Sequence, residues 1–140
     1  MTKSETSEKV ARLIDANLNR LKEGIRVIED INRYIYDDAS LTSQLKTLRH
    51  RLQTIYSLER LHFRDIENDV QKKSIESELT RSSITDLVIA NFSRAQESAR
   101  VLEESFKLID PALSEIAKEV RYGLYGVEKA FFLKHSAKEV

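Results

Sequence analysis

Two stretches of this sequence carry the same polar residues at the same spacing. Residues 16–30 read ANLNRLKEGIRVIED and residues 90–104 read ANFSRAQESARVLEE, with seven of fifteen positions identical at an offset of 74. The shared polar set is Asn17/Asn91, Arg20/Arg94, Glu23/Glu97, Arg26/Arg100 and Glu29/Glu103. Further on, Arg49 aligns with Arg121, Leu52 with Leu124 and Ile55 with Val127, now at an offset of 72. Residues of these types can do two things. They can satisfy one another: Glu29–Arg33 and Glu103–Lys107 have i,i+4 spacing, and Glu23–Arg26 and Glu97–Arg100 have i,i+3 spacing. Asn17 and Asn91 could then fix helix register as buried polar residues do in coiled coils. Alternatively, the paired Asn/Arg/Glu sets converge between helices into a charged site, as bundle sites do. Identical polar positions beside a core need a reason, because a charge there must be paired.

The elements that must position these residues are helices. Apolar residues recur at steps of three and four in four stripes. These are Ile14 to Ile35, Leu41 to Ile55, Leu87 to Ile109 and Leu113 to Phe131. At 100° per residue from Ile14, Asn17 and Glu29 fall about 60° to either side of the first stripe. Arg20 and Arg26 fall near 120° on opposite flanks, Glu23 points away, and Asn32 sits at the centre. Helices are expected near 8–36, 41–62, 83–109 and 111–135. Ser40 can cap the second, Ser83-Ile84-Thr85-Asp86 opens the third, and Asp110-Pro111 starts the fourth. The expected fold is all-α: one domain over 1–140, built as two duplicated antiparallel hairpins (8–62 and 83–135) in a pseudo-two-fold bundle. The polar linker 63–82 is longer than most helix–helix connections.

Composition narrows the chemistry. There are 23 Lys+Arg against 23 Asp+Glu, three Gly, one Pro and no Cys. Zero net charge gives no global field for nucleic acid or an anionic membrane, so neither is an expected partner. Without Cys there is no disulfide, no thiol nucleophile and no Cys-ligated metal. Three glycines cannot build a GxGxxG or Walker loop. His62 falls near the second stripe, His50 faces away from it and His135 lies near the end, so transition-metal ligation is not expected. No apolar run reaches membrane-spanning length, and Met1 to Lys9 lacks a signal-peptide core. A cytoplasmic protein is the expectation.

The repeated ANxxRxxExxRVxE, Leu48-Arg49-His50 with Arg121-Tyr122, and the linker's Arg64-Asp65-x-x-x-Asp69-Val70 followed by Arg81-Ser82-Ser83 resemble a known family. It is the small helical domain often fused to the N-terminus of bacterial thiamine-phosphate synthases, and the resemblance spans roughly residues 10–133. The family is understood as a hydroxymethylpyrimidine phosphate kinase unrelated to the ribokinase-like enzyme of the same pathway. Its linker usually reads close to RDTxGDVGT; here Asn68 and Gln71 replace both glycines.

The resemblance implies Mg²⁺ and ATP as cofactor and co-substrate, with hydroxymethylpyrimidine phosphate as acceptor. The acceptor is already anionic, so catalysis is alignment of two anions and neutralisation of charge. Guanidiniums would replace a glycine loop as phosphate binders. On that basis Arg20, Arg94, Arg64 and Asp65 are expected to be catalytic. Asn17, Asn91, Arg49, Arg121 and Arg81 are expected to bind substrate or phosphate. Asp65, Asp69, Glu29 and Glu103 are expected magnesium ligands. The competing expectation is a non-catalytic helical module that associates with thiamine-phosphate synthase, a reading the lost glycines favour. Exposed helix pairs of this length also suggest a homodimer.

Overall fold

The computed structural model describes residues 1–75 and 79–135; residues 76–78 of the expected linker lie outside the described residues. Four α-helices form the fold: α1 (Lys3–Tyr34), α2 (Ala39–Arg51), α3 (Ile84–Phe106) and α4 (Pro111–His135). Among the described residues there is no strand. The all-α expectation holds.

Each helix packs on two others. α1 lies against α2 and α3, and α4 against α3 and α2. Phe92, early in α3, meets Phe131 at 6.5 Å between ring centroids, and Tyr36 just past α1 meets the same ring at 5.3 Å. At the other end of α3, Phe106 lies 5.3 Å beneath the guanidinium of Arg60, four residues before Arg64, which pairs with Asp15 in the first half of α1. α1 and α3 therefore run antiparallel. The core contains the predicted stripes: Ile14, Leu18, Leu21, Ile25 and Ile28 of α1 face Phe92, Ala95, Ala99, Leu102 and Phe106 of α3 across one buried cluster.

Glycine permits two close helix crossings. A Cβ on Gly24 would sit 3.3 Å from the Ala95 Cβ and 3.4 Å from the Asn91 carbonyl oxygen. One on Gly123 would come within 2.6 Å of Leu48. The first crossing joins α1 to α3 and the second α2 to α4.

Several boundaries differ from expectation. α1 begins five residues earlier than expected, at Lys3, where the Thr2 side chain accepts from the Glu5 N–H. α2 is capped by Asp38 rather than Ser40, through the Leu41 N–H at 2.9 Å. Asp37 before it has φ 50°, a conformation Asp tolerates better than most residues. The expected second helix to residue 62 stops at Arg51. It tightens into a 3₁₀ turn (Leu52–Ile55), crosses extended Tyr56 and Ser57, and makes another 3₁₀ turn (Leu58–Phe63). The apolar stripe explains the break. Ile55 is its last buried residue, while Leu58 and Leu61 are exposed. Arg60 Nη1 then takes the Ile55 carbonyl, at 2.6 Å, that a continuing helix would use. Ser83 and Asp110 cap α3 and α4 as expected.

Candidate functional site

The polar half of each repeat faces a shared groove. The groove is about 660 Å³ and lies between α1 and α3, lined by Asn17, Arg20, Glu23, Gly24 and Val27 with Asn91, Arg94, Glu97, Ser98 and Val101. These are five pairs at the offset of 74. The local two-fold axis thus passes through the groove, which shows the same chemistry to either side. The helical wheel accounts for this: all five positions lie on the flank of α1 that carries Asn17 and Arg20, around the Gly24 crossing. Glu23 points away from the core yet still lines the groove.

The side chains are arranged alike in both copies. Asn17 Nδ2 donates to the Leu13 carbonyl at 3.0 Å, and Asn91 Nδ2 donates to the Leu87 carbonyl at 2.8 Å. Each Asn amide thus bonds within its own helix rather than across to a partner. Arg20 and Arg94 are exposed and make no hydrogen bond or ion pair among the described residues. Two unpaired guanidiniums on one groove form a ready anion-binding arrangement.

The opposite flank is a pair of ion clamps. Glu29, nearly fully buried, accepts from Arg49 Nε at 3.0 Å and Nη2 at 3.1 Å, with Arg26 at 3.5 Å. Glu103 accepts from Arg121 Nε at 2.8 Å, with Arg100 at 3.4 Å. Arg121 also lies over Tyr122 and Tyr125 and donates to the Tyr125 hydroxyl at 3.2 Å. Each clamp ties the two helices of one hairpin together. Arg49 and Arg121 are therefore held away from the groove, and Glu29 and Glu103 are occupied by two arginines each. The expected i,i+4 pairs are not made: Lys107 pairs with Glu104, and Arg33 stacks on Tyr34.

The linker is strapped to α1. Arg64 forms a two-point pair with buried Asp15, at 2.7 and 2.9 Å. Arg12 Nη2 donates to the Asp65 carbonyl at 3.0 Å. Asp65 receives the Asn68 side-chain amide at 2.8 Å and its N–H at 3.0 Å, which hold the carboxyl below its ordinary range. Arg64 and Asp65 thus fasten the linker instead of lining the groove. Asp69 caps the Gln71 N–H at 2.9 Å and lines a second recess, described below. Neither Asn68 nor Gln71 has positive φ, so replacing the glycines imposes no left-handed strain here. Arg81 donates to the Thr80 carbonyl and leaves its Nε without a partner among the described residues. No group of three His, Cys, Asp or Glu that could hold a metal forms among the described residues. Asp65, Asp69, Glu29 and Glu103 are not brought together.

One buried cluster escaped the sequence reading. His135 Nε2 lies 2.8 Å from Asp38 Oδ2, with Lys134 Nζ also at 2.8 Å, and Tyr36 packs 4.4 Å from the imidazole. Residues 97 apart in sequence give no local signal for such a contact. Burial alone would raise the Asp38 carboxyl, but the Leu41 N–H, Lys134 and His135 outweigh it and bring it from 3.8 to about 2. A depressed carboxylate stabilises the fold above its unfolded value and stops doing so as pH falls through its folded one. Roughly 2 kcal/mol of stability is expected to disappear between pH 4 and pH 2. Urea midpoints across that window should show the fall in the wild type and a flatter profile in Asp38→Asn.

No helix among the described residues is long and apolar enough to cross a membrane. No solved structure matches the chain. Among curated proteins it is 44% identical over 130 residues to the thiamine-phosphate synthase of Synechococcus sp. (strain CC9605), covering 91% of this chain and 37% of the synthase. It is 39% identical over 127 residues to the thiamine-phosphate synthase of Thermosynechococcus vestitus, with 90% and 36% covered. For that of Gloeobacter violaceus the identity is 40% over 121 residues, with 85% and 35% covered. The chain thus spans little more than a third of the length of these relatives. Residues 12–130, which hold both repeats, both clamps and the strapped linker, match the ThiD2 family model, and the chain belongs to that family.

Proposed function

We propose that this protein is a hydroxymethylpyrimidine phosphate kinase that transfers the γ-phosphoryl group of Mg-ATP to the substrate's phosphate, giving the diphosphate and ADP in thiamine synthesis. The observation that carries this reading is the groove on the local two-fold axis, with an unpaired arginine from each repeat. Transfer from one phosphate to another is itself nearly symmetric. An acceptor phosphate oxygen forms a bond to the γ-phosphorus as the bond to the β,γ-bridging oxygen breaks and ADP leaves. In the transition state the moving group lies between two like oxyanions. A site that repeats Asn, Arg and Glu about a two-fold axis suits that charge distribution. No general base is needed, because the acceptor oxygen is already anionic.

Arg20 and Arg94 are assigned to the developing charge on the transferred group, and Asn17 and Asn91 to orienting the ligands from either end. Magnesium is normally bound by one or two carboxylates together with substrate phosphates, so it needs no preformed three-ligand cage. Glu23, Glu97 and Asp69 are the carboxylates on the groove and its extension that fit this role. When bound, the ion would neutralise charge on the phosphate chain. Glu29 and Glu103, held in the clamps, are not retained as its ligands, and Arg49 and Arg121 are read as structural.

The test is ADP release from purified protein given Mg-ATP and hydroxymethylpyrimidine phosphate. A folded protein with no turnover above the blank would overturn the proposal. A non-catalytic module docking on thiamine-phosphate synthase is the second reading, and the exposed apolar linker residues Ile66, Val70 and Leu79 favour it. Co-sedimentation with the synthase, without nucleotide binding, would support that reading.

A further inference from the structure

The groove is symmetric at its centre and asymmetric at its ends. Beyond Asn17 and Arg20 a second recess of about 330 Å³ continues toward the start of α1, lined by Lys9, Arg12 and linker residue Asp69 and sharing Asn17 and Arg20 with the groove. At the equivalent positions of the second repeat, Ser83 stands for Lys9 and Asp86 for Arg12, at the same offset of 74. One end therefore presents Lys9, Arg12 and Arg20 against a single carboxylate, Asp69. At the other end the groove is lined by Arg94, with Asp86 nearby in the chain. Lys9 is exposed and has no hydrogen bond or ion pair among the described residues. Arg12 is held toward the linker by its bond to the Asp65 carbonyl. The linker strap thus completes this recess.

From this we infer that the site has a fixed polarity: the polyphosphate chain of a nucleoside triphosphate lies in the recess of Lys9, Arg12 and Arg20, and the acceptor phosphate monoester lies at the Arg94 end. The inference rests on the kinase reading for its acceptor half. Its polyphosphate half stands on the recess alone. A triphosphate carries more negative charge than a monoester, so it is drawn to the recess that gathers Lys9, Arg12 and Arg20.

Isothermal titration with inorganic tripolyphosphate at low ionic strength tests the recess without requiring catalysis. Lys9→Glu is expected to weaken binding about tenfold, the size expected for reversing one charge near a polyanion. Lys9→Arg should hold within about twofold, and so should Lys118→Glu, which makes the same charge change on distant α4. Equal weakening by Lys9→Glu and Lys118→Glu, or no binding to the wild type, would overturn the inference. In steady-state kinetics, Lys9→Glu should raise KM for ATP about tenfold and leave kcat and the acceptor KM within about twofold. A raised acceptor KM with unchanged ATP KM would reverse the polarity and sink the proposal while the kinase reading stood. Tripolyphosphate binding lost as expected, in a protein with no turnover, would keep the recess and sink the kinase reading.

Discussion

Arg94→Ala is expected to lower turnover of hydroxymethylpyrimidine phosphate by roughly a hundred- to a thousandfold, the range for removing a cation that meets transition-state charge in phosphoryl transfer. Arg20→Ala should do the same from the other side. The two guanidiniums would face one transferred group, so their effects should not add, and the double variant should fall well short of the product of the single losses. Lysine should restore only part of the activity at either position. It keeps the charge but lacks the planar fork that grips two phosphate oxygens. The helical circular dichroism and melting temperature should stay at wild-type values, because neither arginine holds any described part of the fold together. Full activity in both alanine variants would remove the groove from the mechanism. Loss of activity with loss of helicity would show that the arginines are structural.

The largest effect on stability is expected at the clamps. Arg121→Leu leaves Glu103 buried with only the longer, more exposed contact from Arg100. An uncompensated buried carboxylate costs about 3 kcal/mol, or about 10 °C in melting temperature for a chain of this size. Adding Glu103→Leu to the same chain removes the stranded charge and should recover most of the loss, because a buried ion pair and an apolar pair of similar volume are often close in stability. A double variant no more stable than Arg121→Leu would mean that the clamp's worth lies in packing against Tyr122 and Tyr125 rather than in charge. The corresponding test at Arg49 and Glu29 should follow the same pattern, since the geometry repeats.

The two roles of the repeated motif were only partly legible in the sequence. Periodicity placed the helices, and identity across the duplication marked the polar residues that mattered. The helical wheel put Asn17 and Arg20 on one flank and Arg26 and Glu29 on the other, but it cannot say which flank meets a neighbouring helix and which stays open. That depends on the Gly24 crossing, which turns the Asn17 flank toward α3, and on α2, whose Arg49 reaches Glu29. Local spacing favoured Glu29–Arg33, yet a two-point contact from another helix won. The Arg64–Asp15 strap and the Asp38–His135 contact join residues far apart in the chain. Asp15 has no polar counterpart on α3, where Ile89 occupies its place, so the duplication could not mark it. The end of α2 was misjudged because a helical apolar stripe says nothing about whether a core remains to receive it.

The covalent join between the hairpins has a consequence for how such a site can diversify. If two separate copies of one hairpin assembled about the same axis, every substitution would appear twice, and donor and acceptor ends would be chemically identical. A fused chain can change one end alone. Lys9 and Arg12 in the first repeat, against Ser83 and Asp86 in the second, are changes of that kind. The segment that connects the hairpins is thus also what lets the two ends of a two-fold groove differ in charge.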